Sequence, residues 1–214
     1  MSAHCCPAPP VPPDDTVYRR ALWIALLVNA AMFAVEISAS AIADSAALLA
    51  DSVDFLGDAA NYGISLAVLA WAPVWRSRAA LIKGLSMGLF GLFVLGKAAW
   101  NVANGVTPEA LTMGTVGLLA LFANAAVAVM LYRYRSGDAN MRSVWLCTRN
   151  DVVGNIAVIL AALGVFGTGS GWPDFVVAAV MGLLALAAAR TVIAYSRSEL
   201  RDLDNHAPNK HAHS

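Results

Sequence analysis

The sequence predicts an all-α, polytopic membrane protein with six transmembrane helices and both termini in the cytoplasm. Three observations lead there. Hydrophobic residues make up 59% of the 214 residues and charged residues only 13%, against about 25% charged in an average soluble domain. The apolar residues come in runs of roughly 20, the length that carries a helix across a bilayer. Lys and Arg collect at alternate connections between these runs, the asymmetry that marks cytoplasmic loops. The length leaves no room for a large soluble domain beside six spans, and the zero formal net charge points to no particular partner; nothing in the chain suggests nucleic-acid binding.

Residues 1–17 are expected to form a disordered cytosolic tail, because the prolines between Pro7 and Pro13 forbid a helix. The tail lacks the basic and apolar regions of a secretory signal. It carries Cys5 and Cys6, which are expected to stay reduced in the cytoplasm. A six-helix transmembrane domain is expected over 18–197, followed by a polar cytosolic tail over 198–214.

The first span is expected from Ala21 to Ala43, behind Arg19, Arg20 and an interfacial Trp23. Asn29 and Glu36 are seven apart and share a face, which should point into the bundle because an unpaired Glu in lipid is expensive. The second span follows a short turn at Asp44 and Ser45 and reaches Trp71. The third, about Ala79 to Trp100, carries Gly84, Gly88, Gly91 and Gly96; small residues at this spacing allow a close helix approach or a subunit contact. The fourth runs from Ala110 to Tyr134 with Asn124 midway, and the fifth from Met141 to Phe166. Trp172-Pro173-Asp174 opens the sixth, which reaches Tyr195. Proline is harmless in a first helical turn, and an acid there meets the positive end of the helix dipole.

The chemistry lies on the second and fifth spans. Asp51, Asp54, Asp58 and Asn61 follow one another at spacings of 3, 4 and 3, one continuous stripe of a helix. Cys147 and Asp151 are four apart, with Gly154 and Asn155 on the same face. Placed face to face, Asp54, Asp58, Cys147 and Asp151 offer three carboxylates and a thiol, a four-ligand cage for a divalent transition metal. Asp51, Glu36, Asn61 and Asn155 would support it or line a pathway. A polar seam that merely glues helices is the structural alternative; Cys147 alone would usually be a buried apolar residue, and its place one turn before a membrane Asp favours the ligand reading. His206, His211 and His213 in the tail are peripheral metal candidates, or simply part of a solvated segment.

These residues resemble a known family, the cation diffusion facilitators. Ser45 to Asp54, continuing to Asp58, looks like that family's second-helix signature, in which an acid or His and an Asp four residues on bind the transported metal. Cys147 to Asn155 falls where the family carries its fifth-helix His-x-x-x-Asp or Asp-x-x-x-Asp. Glu36, Arg78 and Trp172-Pro173-Asp174 also match its habits. The resemblance spans about residues 18–200. It implies a homodimer that exports a divalent metal, most often zinc, against proton entry, with Asp54, Asp58, Cys147 and Asp151 as the transport site. Two departures stand out: a cysteine replaces the usual fifth-helix histidine, and the cytoplasmic ferredoxin-like domain of most members has no counterpart in this sequence. Dimer contacts would then fall to the membrane helices.

The expected function is therefore efflux of a divalent cation, Zn²⁺ first and Cd²⁺ next, in exchange for protons across a bacterial inner (plasma) membrane. No prosthetic group and no enzymatic reaction are expected. Close carboxylates and a thiol would hold protons when empty and lose them to the metal. A passive metal channel, a non-transporting metal sensor and an intramembrane aspartyl hydrolase are the rival readings.

Overall fold

The computed structural model describes residues 16–67, 73–132 and 139–205, and within the helices omits the side chains of residues 73, 76, 139–147, 149, 150, 204 and 205. All regular structure among the described residues is helical: α1 (Thr16–Ala43), α2 (Ala46–Ala67), α3 (Pro73–Ala103), α4 (Ala110–Tyr132), α5 (Ala139–Thr168) and α6 (Trp172–Asn205). Helices α1, α3, α4, α5 and α6 are each long and apolar enough to cross a membrane. Several helices outrun their apolar windows: α1 begins at Thr16, α3 spans Pro73–Ala103, and α6 continues to Asn205. The first residues of the expected C-terminal tail, 198–205, are thus helical. An apolar run marks where a helix meets lipid, whereas the helix itself continues until its backbone is capped or broken. His206, His211 and His213 lie outside the described residues, as do Cys5 and Cys6.

Helix α2 has the length for a span but three aspartates in its middle, and its composition sets it apart from the other five. An Asp at the centre of a lipid-facing helix costs about 2.5–3.5 kcal/mol. The fold removes α2 from lipid: it packs against α1, α3, α5 and α6. Helices α1 and α2, α4 and α5, and α3 and α6 form the closest pairs. Helices α1, α2, α4 and α5 close into a four-helix set, with the α3–α6 pair alongside α2. Outward faces are apolar, for example Leu89, Phe93, Phe122, Leu160 and Leu183, all exposed.

One end of the bundle is tied together around the α1–α2 turn. Helix α1 ends with Asp44 in the left-handed region (φ 53°) and a bond from the Ser45 N–H to the Ser40 carbonyl (3.1 Å). That is a Schellman closure, with Asp standing where glycine is usual. Ser45 then caps α2, its Oγ accepting from the Leu48 N–H (3.0 Å). The remaining donors of this buried first turn go to Asp174 of α6. Its carboxylate accepts from Ser45 Oγ (2.6 Å), the Ala46 N–H (3.0 Å) and the Ala47 N–H (3.0 Å). Lys97 of α3 pairs with Asp44 at 2.8 Å, Asn101 donates to the Asp44 carbonyl (2.6 Å), and the Glu109 N–H, entering α4, donates to the Ala43 carbonyl (2.9 Å). Glu109 also caps α4 through the Leu111 and Thr112 N–H groups (3.0 and 2.6 Å). Hydrogen bonds from Thr112 and Leu111 hold its carboxyl below the usual range.

The α3–α6 pair is set by small residues. A Cβ on Gly91 would sit 3.3 Å from the Gly182 carbonyl oxygen and from Leu186, and one on Gly84 about 3.0 Å from Ile193. The glycines of the third span therefore serve an intrachain contact with α6; Gly96, in contrast, faces open space.

Two outcomes are expected in thermal unfolding of the detergent-solubilised protein. Asp174→Ala strands buried N–H donors at about 1–3 kcal/mol each and should lower Tm sharply, with Ser45→Ala milder. Gly91→Leu overpacks the α3–α6 seam at about 1–3 kcal/mol, whereas Gly96→Leu should leave Tm unchanged or slightly raised. Equal effects of the two glycine substitutions would contradict the seam.

Candidate metal site

The bundle interior carries a polar column where α2 and α5 run antiparallel. At the level nearer the α1–α2 turn, Asp51 accepts from Asn155 Nδ2 (2.8 Å), and Asn155 Oδ1 accepts from Asn124 Nδ2 of α4 (2.9 Å). Glu36 of α1 reaches Asp51 from the other side. Exposure is 0% for Glu36, 2% for Asp51 and 0% for Asn155, so water does not satisfy them. Neither Glu36 oxygen meets a hydrogen-bond donor. Its polar neighbour is another carboxyl group, and two carboxyls can bond only through a proton held between them. Gly154 of α5 faces this level: a Cβ there would meet Asp51 Oδ1 at 3.9 Å and Met181 of α6 at 3.8 Å, ordinary van der Waals contact.

Further along α2 the column reaches Asp54 and then Asp58. Asp58 meets Asp151 of α5, carboxyl against carboxyl, and both lie within electrostatic reach of Asp54. The second oxygen of Asp151 is buried without a hydrogen-bond partner. Tyr62, one turn after Asp58, donates to Asp58 Oδ2 at a long 3.5 Å and shares a 2.7 Å bond with Thr148 Oγ1. Asn61 reaches the Asp58 carboxylate and is bonded by Lys83 Nζ of α3. The pairs Asp51–Asn155, Asp58–Asp151 and Tyr62–Thr148 follow one another along one antiparallel helix contact: Asp51 and Asp58 are two turns apart on α2 and Asp58 and Tyr62 one, while Asn155, Asp151 and Thr148 follow at about one turn each on α5.

The sequence-predicted residues thus separate into two levels. Glu36, Asp51 and Asn155 form the upper one with Asn124; Asp58, Asp151 and Asn61 form the lower one; Asp54 lies between, within electrostatic reach of Asp51 and Asp58. Cys147 lies on α5 directly before Thr148, but its side chain is outside those described. Among the described residues, no three of His, Cys, Asp and Glu are placed to hold a metal ion in this conformation. Asp58 and Asp151 are where acids of the two stripes meet. Sequence reasoning left out Tyr62, Thr148 and Lys83. Tyr62 and Thr148 were findable, being one helical turn from Asp58 and Asp151 on the same faces; Lys83 was not, because nothing local aligns α3 with α2.

A column of buried acids inside an apolar bundle agrees with the comparisons with known proteins. Residues 22–201 match the cation efflux transmembrane domain. Two curated relatives, from Bacillus subtilis (strain 168) and Bacillus velezensis (strain DSM 23117 / BGSC 10A6 / LMG 26770 / FZB42), are each described as a cadmium, cobalt and zinc/H(+)-K(+) antiporter. Each is 29% identical over 114 residues, which is 50% of this chain and 35% of the relative. The match therefore spans about a third of those relatives' length. With its long apolar helices, the chain is a multi-pass integral protein of the plasma membrane. Since the domain match covers most of its length, the chain belongs to the cation efflux, or cation diffusion facilitator, family.

Proposed function

We infer that the protein carries a divalent transition-metal cation, Zn²⁺ first and Cd²⁺ next, out of the cytoplasm in exchange for protons. Asp54, Asp58, Cys147 and Asp151 are the proposed ligands. The observation that carries this reading is the buried meeting of Asp58 and Asp151, from two different helices, in the middle of an apolar bundle. Intramembrane acids are expensive and mark ion or proton pathways by default. Two carboxyl groups in hydrogen-bonding contact hold a proton between them. A divalent ion that bridges them takes the same lone pairs and releases that proton. Proton-bound and metal-bound forms are then alternative states of one site, which is the requirement for antiport.

The ligand types bear on selectivity. A thiolate favours zinc and cadmium over manganese and magnesium, and four ligands in a tetrahedron suit zinc-like ions. The relatives' descriptions name cadmium, cobalt and zinc. Orientation follows the charges. Arg19, Arg20, Arg78, Arg197 and Arg201 lie at the start of α1, the start of α3 and the end of α6, which share one end of an up-and-down bundle. The positive-inside rule makes that end cytoplasmic. The proposal includes a homodimer formed through the membrane helices, with lipid, the metal ion and protons as the other partners. The activity is transport, with no chemical transformation of a substrate.

Zinc uptake into sealed proteoliposomes under an imposed pH gradient tests this. Flux in the unmodified protein should depend on the gradient and fall to background in Asp58→Ala and in Asp151→Ala. Zinc flux indifferent to the gradient would make the protein a passive channel, and binding without flux a sensor. Flux that survives both substitutions would remove the site altogether. Cys147→Ser should depress zinc and cadmium transport more than manganese transport; an unchanged metal preference would exclude the thiol as a ligand.

A further inference from the structure

Lys83 stands ten residues into α3 from Pro73, within the membrane-spanning part of that helix. It is only partly exposed, so its ammonium group needs a partner. Among the described residues, the partner is Asn61 Oδ1 of α2. The Asn61 amide in turn reaches Asp58, and Asp58 is the acid whose charge acts on Lys83. A Lys–Asn–Asp relay therefore joins α3 to the acid pair formed by Asp58 and Asp151. An amide suits this position, because it accepts from the ammonium with its oxygen and donates to the carboxylate with its nitrogen. A carboxylate at residue 61 would capture the lysine outright.

Resting on the site reading above, we propose that Lys83 is a positioning residue that counters Asp58 through Asn61 and thereby lowers the affinity of the site for a divalent cation. The single proton shared by Asp58 and Asp151 carries one charge, and the ion that replaces it carries two. The fixed ammonium opposes that added charge. Within a low-dielectric bundle such opposition is stronger than in water. A transporter gains from it: the ion is held firmly enough to enter and loosely enough to leave.

Equilibrium Zn²⁺ binding to the purified full chain in detergent, measured by competition with a zinc-chelating dye, tests the proposal. Lys83→Met removes the charge and keeps most of the bulk; Lys83→Gln is a second neutral variant in case the first does not fold. Both should bind Zn²⁺ about tenfold more tightly than wild type. Lys83→Arg keeps the charge and should stay close to wild type. Neutral variants with unchanged or weaker binding would overturn the proposal, and so would Lys83→Arg behaving like Lys83→Met, since the effect would then be packing. Asp58→Asn separates the two levels of inference. It should abolish binding; if it binds like wild type, the site reading fails and the role of Lys83 falls with it. Lost binding in Asp58→Asn with no effect of the Lys83 variants refutes the lysine alone.

Discussion

The fold depends on how the first turn of α2 is satisfied. That turn is buried, and a buried helix start leaves N–H donors that must find acceptors. Asp174 supplies acceptors for Ala46, Ala47 and the capping Ser45 in one carboxylate. Because Asp174 belongs to α6, the cap is also a long-range tether, joining residues 129, 128 and 127 positions apart. Lys97, Asn101 and Glu109 bring α3 and α4 to the same turn. Every aspartate of the α2 stripe is positioned by a helix whose origin is pinned at this point.

From that origin the bundle resolves a conflict. Helix α2 is too acidic to face lipid, yet the candidate site needs its acids at membrane depth. Surrounding it with α1, α3, α5 and α6 lets the apolar faces of its neighbours meet the bilayer. The inner faces then pair polar groups rung by rung, and Asn155 and Asn124 give Asp51 a neutral hydrogen-bonded setting. Among the buried carboxyls, both Glu36 oxygens and one Asp151 oxygen meet no donor, and each of these carboxyls meets another carboxyl. Carboxyl pairs of this kind hold protons or cations, as the proposed function requires.

Much of this was legible beforehand. The fold class, the inward face of Asn29 and Glu36, and the α2 and α5 stripes follow from hydropathy and from the spacing of three and four residues. Asn124 was readable as a partner for a neighbouring helix, and it bonds Asn155. Asp174 was visible only as an acid in the first turn of its own helix; its main partners belong to α2. The extension of α1, α3 and α6 past their apolar windows was not visible either, since hydropathy reports the lipid boundary and says nothing of where helical hydrogen bonding ends.

The sequence by itself determined which residues share a face, because helical periodicity is local and depends on spacing alone. It therefore determined that the chain crosses a membrane several times and carries two acid-bearing stripes. Only the tertiary structure decided which stripes meet and at what height. It put Asp58 on Asp151 and Asp51 on Asn155, brought Glu36 to the upper level, and sent Lys83 through Asn61 to the lower one. The reason is physical: the relative translation and rotation of packed helices are set by caps, glycine contacts and long-range hydrogen bonds, none of which leaves a periodic mark in the chain.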